Sequence, residues 1–494
     1  MKNYLQVEKD RKKYHAQPSK NTIHRSSLTA PNISKSDTWI SFINHFLLKR
    51  NYKSIALKLS AIDKFGNLLD SQTIQITEPV AYSLNLNKIF LNLPTNNYLI
   101  DFYSNKNLFI PFPAVVVSHI GKDFCNTVHS FNRILNDVFE DDKINKNHVS
   151  EASFDIKIDK TYDTFFNLNT GISNINNENI FISYTKNNYK FKKKIKVSLP
   201  RLSYKSFFFS KILPKNLDGG IVKVKQPLQK LFYGRMLAGR INKKTGAFSA
   251  NHSYYDSSKT KEYFPSSKSS RTYPYFEKFL NQITVYPIFS PSKLDFYLKI
   301  HTKNSAYISP SFKFSSSSKS ELNIIVNDFV NSNKIKNVTA FSFIANSGKG
   351  KIPTRVNHQL IYSNINKTNS LKCSINLSLT NKSVFMPKHK TSFIWGQTLN
   401  HKDYNSKLGI CFKNSEGLAE KIKINFYNEK GKVKTINKKL LPYEALILDT
   451  NKLFGSSKNL KFYWYNAECK RPDLSAYSFH MNKISGNSSG EHNF

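Results

Sequence analysis

The sequence predicts an all-β protein built from tandem β-sandwich modules of the immunoglobulin-like type, joined by short connecting helices. One observation is the composition: Phe, Tyr and Ile are abundant, while the 494 residues hold only 17 Gly and 18 Pro. Aromatic and β-branched residues favour strands. The other observation is an internal repeat, which indicates tandem copies of one module. Four modules are predicted, with three as the alternative.

The repeat is clearest between two distant segments, residues 55–90 and 420–454. In each, a strand with alternating apolar residues leads to a turn that contains Gly66 or Gly431. A second strand, a proline (Pro79 or Pro442) and a third strand ending in Asn-Lys-[Ile/Leu]-Phe follow. Alternation at every second residue places the apolar side chains on one face of a sheet.

Two weaker copies, residues 179–213 and 294–330, lie between these segments. A second similarity follows the copies. Residues 246–254 and 486–494 both fit G-x-x-S-x-x-H-x-[YF], with the histidines His252 and His492. The first and third copies end more loosely in His129 and His358. We therefore expect each module to close on a histidine.

These landmarks divide the chain. Residues 130–141 have helical spacing of their apolar side chains and are expected to form a short helix. Short strands separated by turn signals indicate sandwiches rather than β-α-β units. The predicted units are a flexible basic leader at 1–38, modules at 39–150, 151–256, 273–365 and 385–494, and a Ser/Lys-rich linker at 257–272.

The charge of the chain favours an anionic partner. There are 74 Lys and Arg against 33 Asp and Glu, giving a formal net charge of +41. Such a surface attracts nucleic acid, anionic lipid or acidic polysaccharide, although it can also serve solubility alone. The four cysteines have no paired spacing and are expected to be reduced thiols. With neither a signal peptide nor a transmembrane segment recognised, a cytoplasmic location is expected.

The charge is concentrated in residues 186–244, which hold 14 Lys and 3 Arg against one acid, Asp218. On a strand, four alternating lysines form a row on one face. Aromatic residues nearby would suit binding of single-stranded nucleic acid or an acidic glycan. The alternative is that the lysines only protect a sheet edge from aggregation. The candidate polyanion-binding residues are Lys190, Lys192, Lys194, Lys196, Lys205, Arg235 and Arg240.

The module-end histidines are a second candidate site. If the modules pack around a common axis, His129, His252, His358 and His492 converge and bind a transition metal through their imidazole nitrogens. The alternative is a structural role in which each histidine only orients the last strand of its module. No other cofactor is predicted.

The sequence contains no recognisable catalytic signature, since P-loop, dinucleotide-binding and HExxH patterns are absent. The leading hypothesis is a non-enzymatic binding or scaffolding protein whose basic surface engages an anionic partner such as an acidic polysaccharide. The first alternative is a nucleic-acid-binding protein that uses the 186–244 face. The second is an enzyme or metal-binding protein with a site at a module interface. The oligomeric state is not predicted.

Overall fold

The computed structural model is nearly all β, with 59% of residues in strands and 6% in helices. This confirms the predicted fold class. Four β-sandwiches follow one another along the chain, each made of two antiparallel sheets. The structure describes residues 24–104, 113–129, 133–136, 150–152, 156–214, 217–227, 235–255, 263–264, 266–286, 293–315, 317–353, 355–367, 369–379 and 391–494.

Module one pairs its strands in the orders β4-β3-β6-β1-β9 and β5-β2-β7-β8. Its elements are β1 (His24–Pro31), β2 (Asp37–Ile43), α1 (His45–Arg50), β3 (Ile55–Ile62), β4 (Leu68–Ile76), β5 (Ala81–Asn85), α2 (Leu86–Ile89), β6 (Asn97–Ser104), β7 (Val116–Ile120), β8 (Cys125–His129) and β9 (Arg133–Asn136).

Module two has sheets β14-β13-β17-β10-β20 and β15-β12-β18-β19, with a small β11-β16 pair. Its elements are β10 (Ser150–Ala152), β11 (Lys157–Ile158), β12 (Tyr162–Asn169), β13 (Ile175–Lys186), β14 (Tyr189–Leu199), β15 (Tyr204–Phe208), the 3₁₀ turn η1 (Phe209–Lys211), β16 (Leu217–Asp218), β17 (Ile221–Lys225), β18 (Leu237–Asn242), β19 (Phe248–His252) and β20 (Tyr254–Tyr255).

Module three has sheets β22-β28-β24-β25, with β26 also on β24, and β27-β23-β30-β31, with a small β21-β29 pair. Its elements are β21 (Tyr263–Phe264), β22 (Lys268–Pro274), β23 (Phe279–Val285), β24 (Leu294–Thr302), β25 (Ala306–Ile308), β26 (Phe312–Phe314), β27 (Leu322–Ile325), α3 (Val326–Ser332), β28 (Val338–Asn346), β29 (Ile352–Pro353), β30 (Asn357–Asn364) and β31 (Cys373–Ser378).

Module four has sheets β32-β37-β34-β35 and β36-β33-β38-β39. Its elements are β32 (Ser392–Asn400), β33 (Tyr404–Phe412), β34 (Glu420–Asn428), β35 (Gly431–Leu440), β36 (Ala445–Asp449), α4 (Thr450–Phe454), β37 (Lys461–Cys469), β38 (Leu474–Asn482) and β39 (Ser488–His492).

The turn and motif signals of the repeat have clear structural counterparts. Gly66 (φ 82°) and Gly431 (φ 120°) lie in the left-handed region, which a glycine enters without strain. The Asn-Lys-[Ile/Leu]-Phe landmark does not end a strand. It forms the short helices α2 and α4, where Asn85 and Asp449 cap the N-terminus by accepting a hydrogen bond from a backbone N–H.

Several predicted boundaries differ from the structure. Residues 24–31 of the predicted leader form β1, which pairs with β6 inside module one; residues 1–23 lie outside the described part. The helix expected at 130–141 is wrong at 133–136, where β9 pairs with β1. The predicted linker ends in strand β22, and module three extends beyond 365 to include β31. The helical spacing covers only a few residues. These residues pair as a strand instead, because tertiary packing overrides such short patterns.

The four sandwiches pack against one another through apolar side chains. One core cluster joins Phe42 of module one to Phe248 of module two and Trp464 of module four. A second joins Phe276 of module three to Phe479 of module four. Buried contacts of this kind hold the modules in fixed relative positions.

Each module has one four-stranded sheet of the same order, which ends in β8, β19, β31 or β39. These four edge strands contact one another in a closed cycle, β8 with β19, β19 with β31, β31 with β39, and β39 with β8. The closing strands of all four modules therefore surround one central region. Among the described residues, no helix has the length and apolarity needed to cross a membrane.

Candidate functional site

Three of the four predicted histidines lie at equivalent positions at the ends of the edge strands. His129 ends β8, His252 ends β19 and His492 ends β39. In each, the histidine is paired with a residue near the start of the preceding strand, for example His129 with Val116. The repeat therefore places three imidazoles at the same point of the four-strand cycle.

The three imidazoles converge. One potential ligand atom from each of His129, His252 and His492 lies within 4.8 Å of the others. The ring of His129 makes edge contacts with both partners, with centroid distances of 5.4 Å to His252 and 4.4 Å to His492. Phe494 also packs against His129 at 4.9 Å. Residues more than 120 positions apart in sequence thus form one cluster.

The structure does not bring the fourth predicted histidine, His358, into this cluster. It lies on β30, one strand before the edge strand, and is paired with Leu377 of β31. The last residue of β31, at the position that the histidines have in the other modules, is Ser378. His358 is fully buried, and its Nε2 hydrogen-bonds the hydroxyl of Tyr273. It therefore has a structural role in the core of module three.

Oxygen atoms lie close to Nδ1 of His492 and of His129. The Nδ1 of His492 lies 2.8 Å from the carbonyl oxygen of Asn493, which can only accept. In the neutral ring, the lone pair of His492 is therefore on Nε2. The Nδ1 of His129 lies 2.8 Å from Oε2 of Glu491. The carbonyl on Nδ1 of His492 is the arrangement that prepares Nε2 to bind a metal, whereas the contact of His129 with Glu491 lacks the alignment of a hydrogen bond.

His252 has two alternative partners at Nδ1. Its Nδ1 lies 3.2 Å from the carbonyl oxygen of Ser253 and 3.1 Å from Nη1 of Arg235. The carbonyl requires a proton on Nδ1, whereas the guanidinium requires a lone pair there. The tautomer of His252 therefore decides which contact forms.

Glu491 connects the cluster to the backbone. The side chain is 3% exposed, and its carboxylate accepts hydrogen bonds from the backbone N–H groups of His129 and His492, both at 2.9 Å. It thereby joins modules one and four. Its Oε1 also lies 4.0 Å from Nε2 of His492. Glu491 is thus both a support for the histidines and a potential additional ligand.

Burial controls the charges in the cluster. It raises the pKa of Glu491 to about 7 and lowers the pKa of His492 to about 3, with the neighbouring His129 adding to the second effect. Burial and the nearby Arg235 guanidinium hold the pKa of His252 well below its ordinary value. Neutral imidazoles are the form that binds metals.

The second candidate site is the outer face of the larger sheet of module two. In β14, Lys190, Lys192, Lys194 and Lys196 are exposed, whereas Phe191, Ile195 and Val197 pack on the module core. In the neighbouring strand β13, Phe181 is 44% exposed and is directly paired with Lys194 on one side and Lys225 on the other.

The remaining candidates do not belong to this face. Lys205 is exposed but lies on β15, in the other sheet of the module. Arg240 is on β18 of that same sheet. Arg235 is also away from this face, since its side chain is only 8% exposed and contacts His252. The seven candidate residues were predicted to form one site because they are close in sequence, but the sandwich places them on separate sheets.

Three residues that the sequence did not place near the histidines, Glu491, Arg235 and Arg271, are members or neighbours of the cluster. Glu491 directly precedes His492, but no other module has an acid at that position. A search for shared repeat residues therefore overlooked it. Arg271 belongs to module three, and its guanidinium hydrogen-bonds Tyr477 and Ser475 of module four. No local signal reveals such a contact between modules.

No protein-family model and no curated protein match this chain. Among the solved structures that match this chain, two illustrate how weak the similarity is. A calcium-binding mutant of Bacteroides uniformis beta-glucuronidase 2 matches 47% of this chain at 11% identity, with a TM-score of 0.12. This chain spans 26% of the length of that protein. A tetra-tandem repeat from the extending region of a large adhesion protein matches 90% of this chain, and 92% of its own length, at 9% identity with a TM-score of 0.10. Similarity at this level does not indicate a function.

Proposed function

We propose that the protein is a non-enzymatic scaffold of four packed sandwiches, and that the outer sheet of module two binds an acidic polymer, with an acidic polysaccharide as its ligand. The observation that carries this proposal is the row Lys194–Phe181–Lys225, which crosses three neighbouring strands. Both ammonium groups lie 5.8 Å from the centre of the Phe181 ring.

The surrounding charges support the proposal. The next row places Lys192 and Lys223 on either side of Ser183. Across β13, β14 and β17, the only acid is Glu178. Successive lysines on one face of a strand are separated by about 6.8 Å, so β14 presents a regular line of cations. Like charges held this close repel one another, and a bound polyanion relieves that repulsion.

The corresponding hairpin of module four provides a matched control. Lys421 and Lys423 of β34 are also exposed, but Lys423 lies 3.5 Å from the carboxylate of Glu468. Glu420 is the adjacent residue in sequence. Reversing two charges here changes the net charge as much as it does on β14.

The experiment compares polygalacturonate binding by the wild type, Lys192→Glu/Lys194→Glu and Lys421→Glu/Lys423→Glu, measured by isothermal titration at low salt. We expect the β14 variant to lose at least about 10-fold in affinity and the β34 variant to lose much less. Equal losses in both variants would show that only net charge matters, and the proposed face would then be wrong.

The exposed Phe181 favours a second candidate, single-stranded nucleic acid, because bases stack on aromatic rings between cations. Titration with oligo(dT) and with polygalacturonate, in the wild type and in Phe181→Ala, separates the two. If nucleic acid is the ligand, oligo(dT) binds more tightly at equal charge and loses about 1–3 kcal/mol in the variant. Tighter binding of polygalacturonate would support the polysaccharide.

We also propose a cytoplasmic location. The support is that Cys125, Cys373, Cys411 and Cys469 are all buried free thiols, as expected in a reducing compartment. Fractionation of native cells tests it, and recovery of the protein outside the cytoplasm would contradict it.

A further inference from the structure

We propose that His129, His252 and His492 bind one divalent transition-metal ion of the zinc class, and that this ion ties modules one, two and four together at the ends of their edge strands. The three ligands come from three modules. This site is separate from the basic face of module two and does not depend on its function.

The geometry is close to that of a metal site. Zinc binds imidazole nitrogen at about 2.0–2.1 Å, which places tetrahedral ligand atoms about 3.4 Å apart. The three candidate atoms lie within 4.8 Å of one another. Inward movement of each ring by less than about 1 Å closes this difference, a shift within the range of side-chain torsions.

The surroundings provide the oxygen acceptors that histidine ligands require. His492 has the Asn493 carbonyl on Nδ1 and His252 has the Ser253 carbonyl, whereas the Glu491 carboxylate lies 2.8 Å from Nδ1 of His129 without the alignment of a hydrogen bond. The two backbone contacts are equivalent, since each histidine faces the carbonyl of the next residue. In this state His252 and His492 keep their lone pairs on Nε2.

The metal-bound state requires His252 to exchange one partner for another. Arg235, 3.1 Å from Nδ1, competes with the Ser253 carbonyl for that nitrogen and adds a positive charge near the ion. Binding therefore moves the His252 proton to Nδ1, where it is donated to Ser253, and ends the contact with Arg235. Arg235 thus restrains metal binding, and its removal strengthens it.

Glu491 balances the charge of the ion. Its carboxylate lies beside His129 and 4.0 Å from Nε2 of His492. From this position it either supplies the fourth ligand oxygen or stays on His129 while water completes the coordination sphere. Imidazole with a carboxylate suits zinc, iron, nickel and copper ions, whereas calcium and magnesium prefer oxygen ligands alone.

The experiment uses the full chain without a histidine tag, stripped by a chelator and then titrated with Zn²⁺ and with Co²⁺. We expect one equivalent of Zn²⁺ by atomic spectrometry and an intense visible Co²⁺ spectrum typical of four-coordinate nitrogen and oxygen ligands. His252→Ala and His492→Ala are expected to lose at least about 100-fold in Zn²⁺ affinity. The control His401→Ala, which removes a histidine elsewhere in module four, keeps the metal.

Arg235→Met separates a metal site from a structural network. We expect this variant to bind Zn²⁺ about 10-fold more tightly, because a competing donor and a positive charge are removed. The wild-type measurements need no variant and remain decisive if a variant misfolds. A wild type without a stoichiometric Zn²⁺ or Co²⁺ complex would overturn the proposal, as would His401→Ala losing as much metal as His252→Ala.

Discussion

Gly490 offers the sharpest test of how the four edge strands pack. It lies on β39, and a Cβ atom added there would be 2.3 Å from the carbonyl oxygen of Ser478 and 2.8 Å from Sγ of Cys373. The first contact is within module four, whereas the second crosses to β31 of module three. Atoms this close must move, and a paired backbone carbonyl has little freedom to do so.

We expect Gly490→Ala to lower the free energy of unfolding by about 2–3 kcal/mol, the upper part of the range for overpacked interiors. Gly348→Ala is the matched control, because no atom lies within 4 Å of its added Cβ and its φ is not in the left-handed region. That change is expected to be neutral or slightly stabilising, since it restricts the unfolded chain. Urea denaturation followed by tryptophan fluorescence measures both.

A double-mutant cycle isolates the contact between modules. Cys373→Ala removes the Sγ that the new methyl group meets, so Gly490→Ala costs less in that background than in the wild type. If Gly490→Ala is as stable as Gly348→Ala, β39 does not pack against its neighbours as described. If the cost is unchanged by Cys373→Ala, the contact between β31 and β39 is wrong.

Two further predictions concern buried polar groups. Four histidines outside the cluster are buried with pKa values lowered to about 3 or 4: His119, His301, His358 and His480. Below pH 6.5 the unfolded chain binds their protons and the folded chain does not, so stability falls with falling pH, by about 5 kcal/mol for the four together between pH 7.5 and 5.5. Glu491, whose raised pKa of about 7 gives the opposite sign, offsets about 2 kcal/mol of this loss. Urea titrations across this pH range check the slope, and unchanged or rising stability on acidification would contradict it. Arg271→Met is expected to cost about 2–3 kcal/mol, because the guanidinium bridges Tyr477 and the Ser378 carbonyl in a buried position. The exposed Arg201→Met should cost less than about 0.5 kcal/mol, and equal midpoints for the two variants would refute the bridge.

The repeated strands could be predicted because the sequence features that indicate them lie within short segments of the chain. Ile55, Leu57 and Leu59 alternate with other residues in the sequence and are buried in the structure. Gly66 and Gly431 mark turns because each takes a positive φ, as Asn187 does in the equivalent turn of module two. Burial on one face and a positive φ are both properties of short segments, and so a single sequence reveals them.

The third module shows where this local information fails. Its edge strand β31 ends in Ser378 rather than in a histidine, and the described turn before it lacks the glycine found before β19 and β39. The sequence pattern therefore predicted His358, which lies earlier in the chain. Because β31 has no histidine at this position, the predicted histidine of module three lies one strand earlier, on β30.

The convergence of the histidines could be suggested by the sequence, but only the packing of whole modules establishes it. His129, His252 and His492 meet because the sandwiches pack through apolar clusters shared by several modules. That packing depends on surface shape over many residues rather than on any motif. Arg235 illustrates the same limit, since its sequence neighbours suggested a surface charge while the packing places it beside His252.

The most direct test of the central claim, that three module ends meet at one imidazole centre, is X-ray absorption at the zinc edge of the Zn²⁺-loaded full chain. Three converging imidazoles would give a first shell of nitrogen and oxygen atoms at about 2.0–2.1 Å, with outer-shell scattering from three rings. A first shell of oxygen alone, or scattering from fewer than two imidazoles, would contradict it.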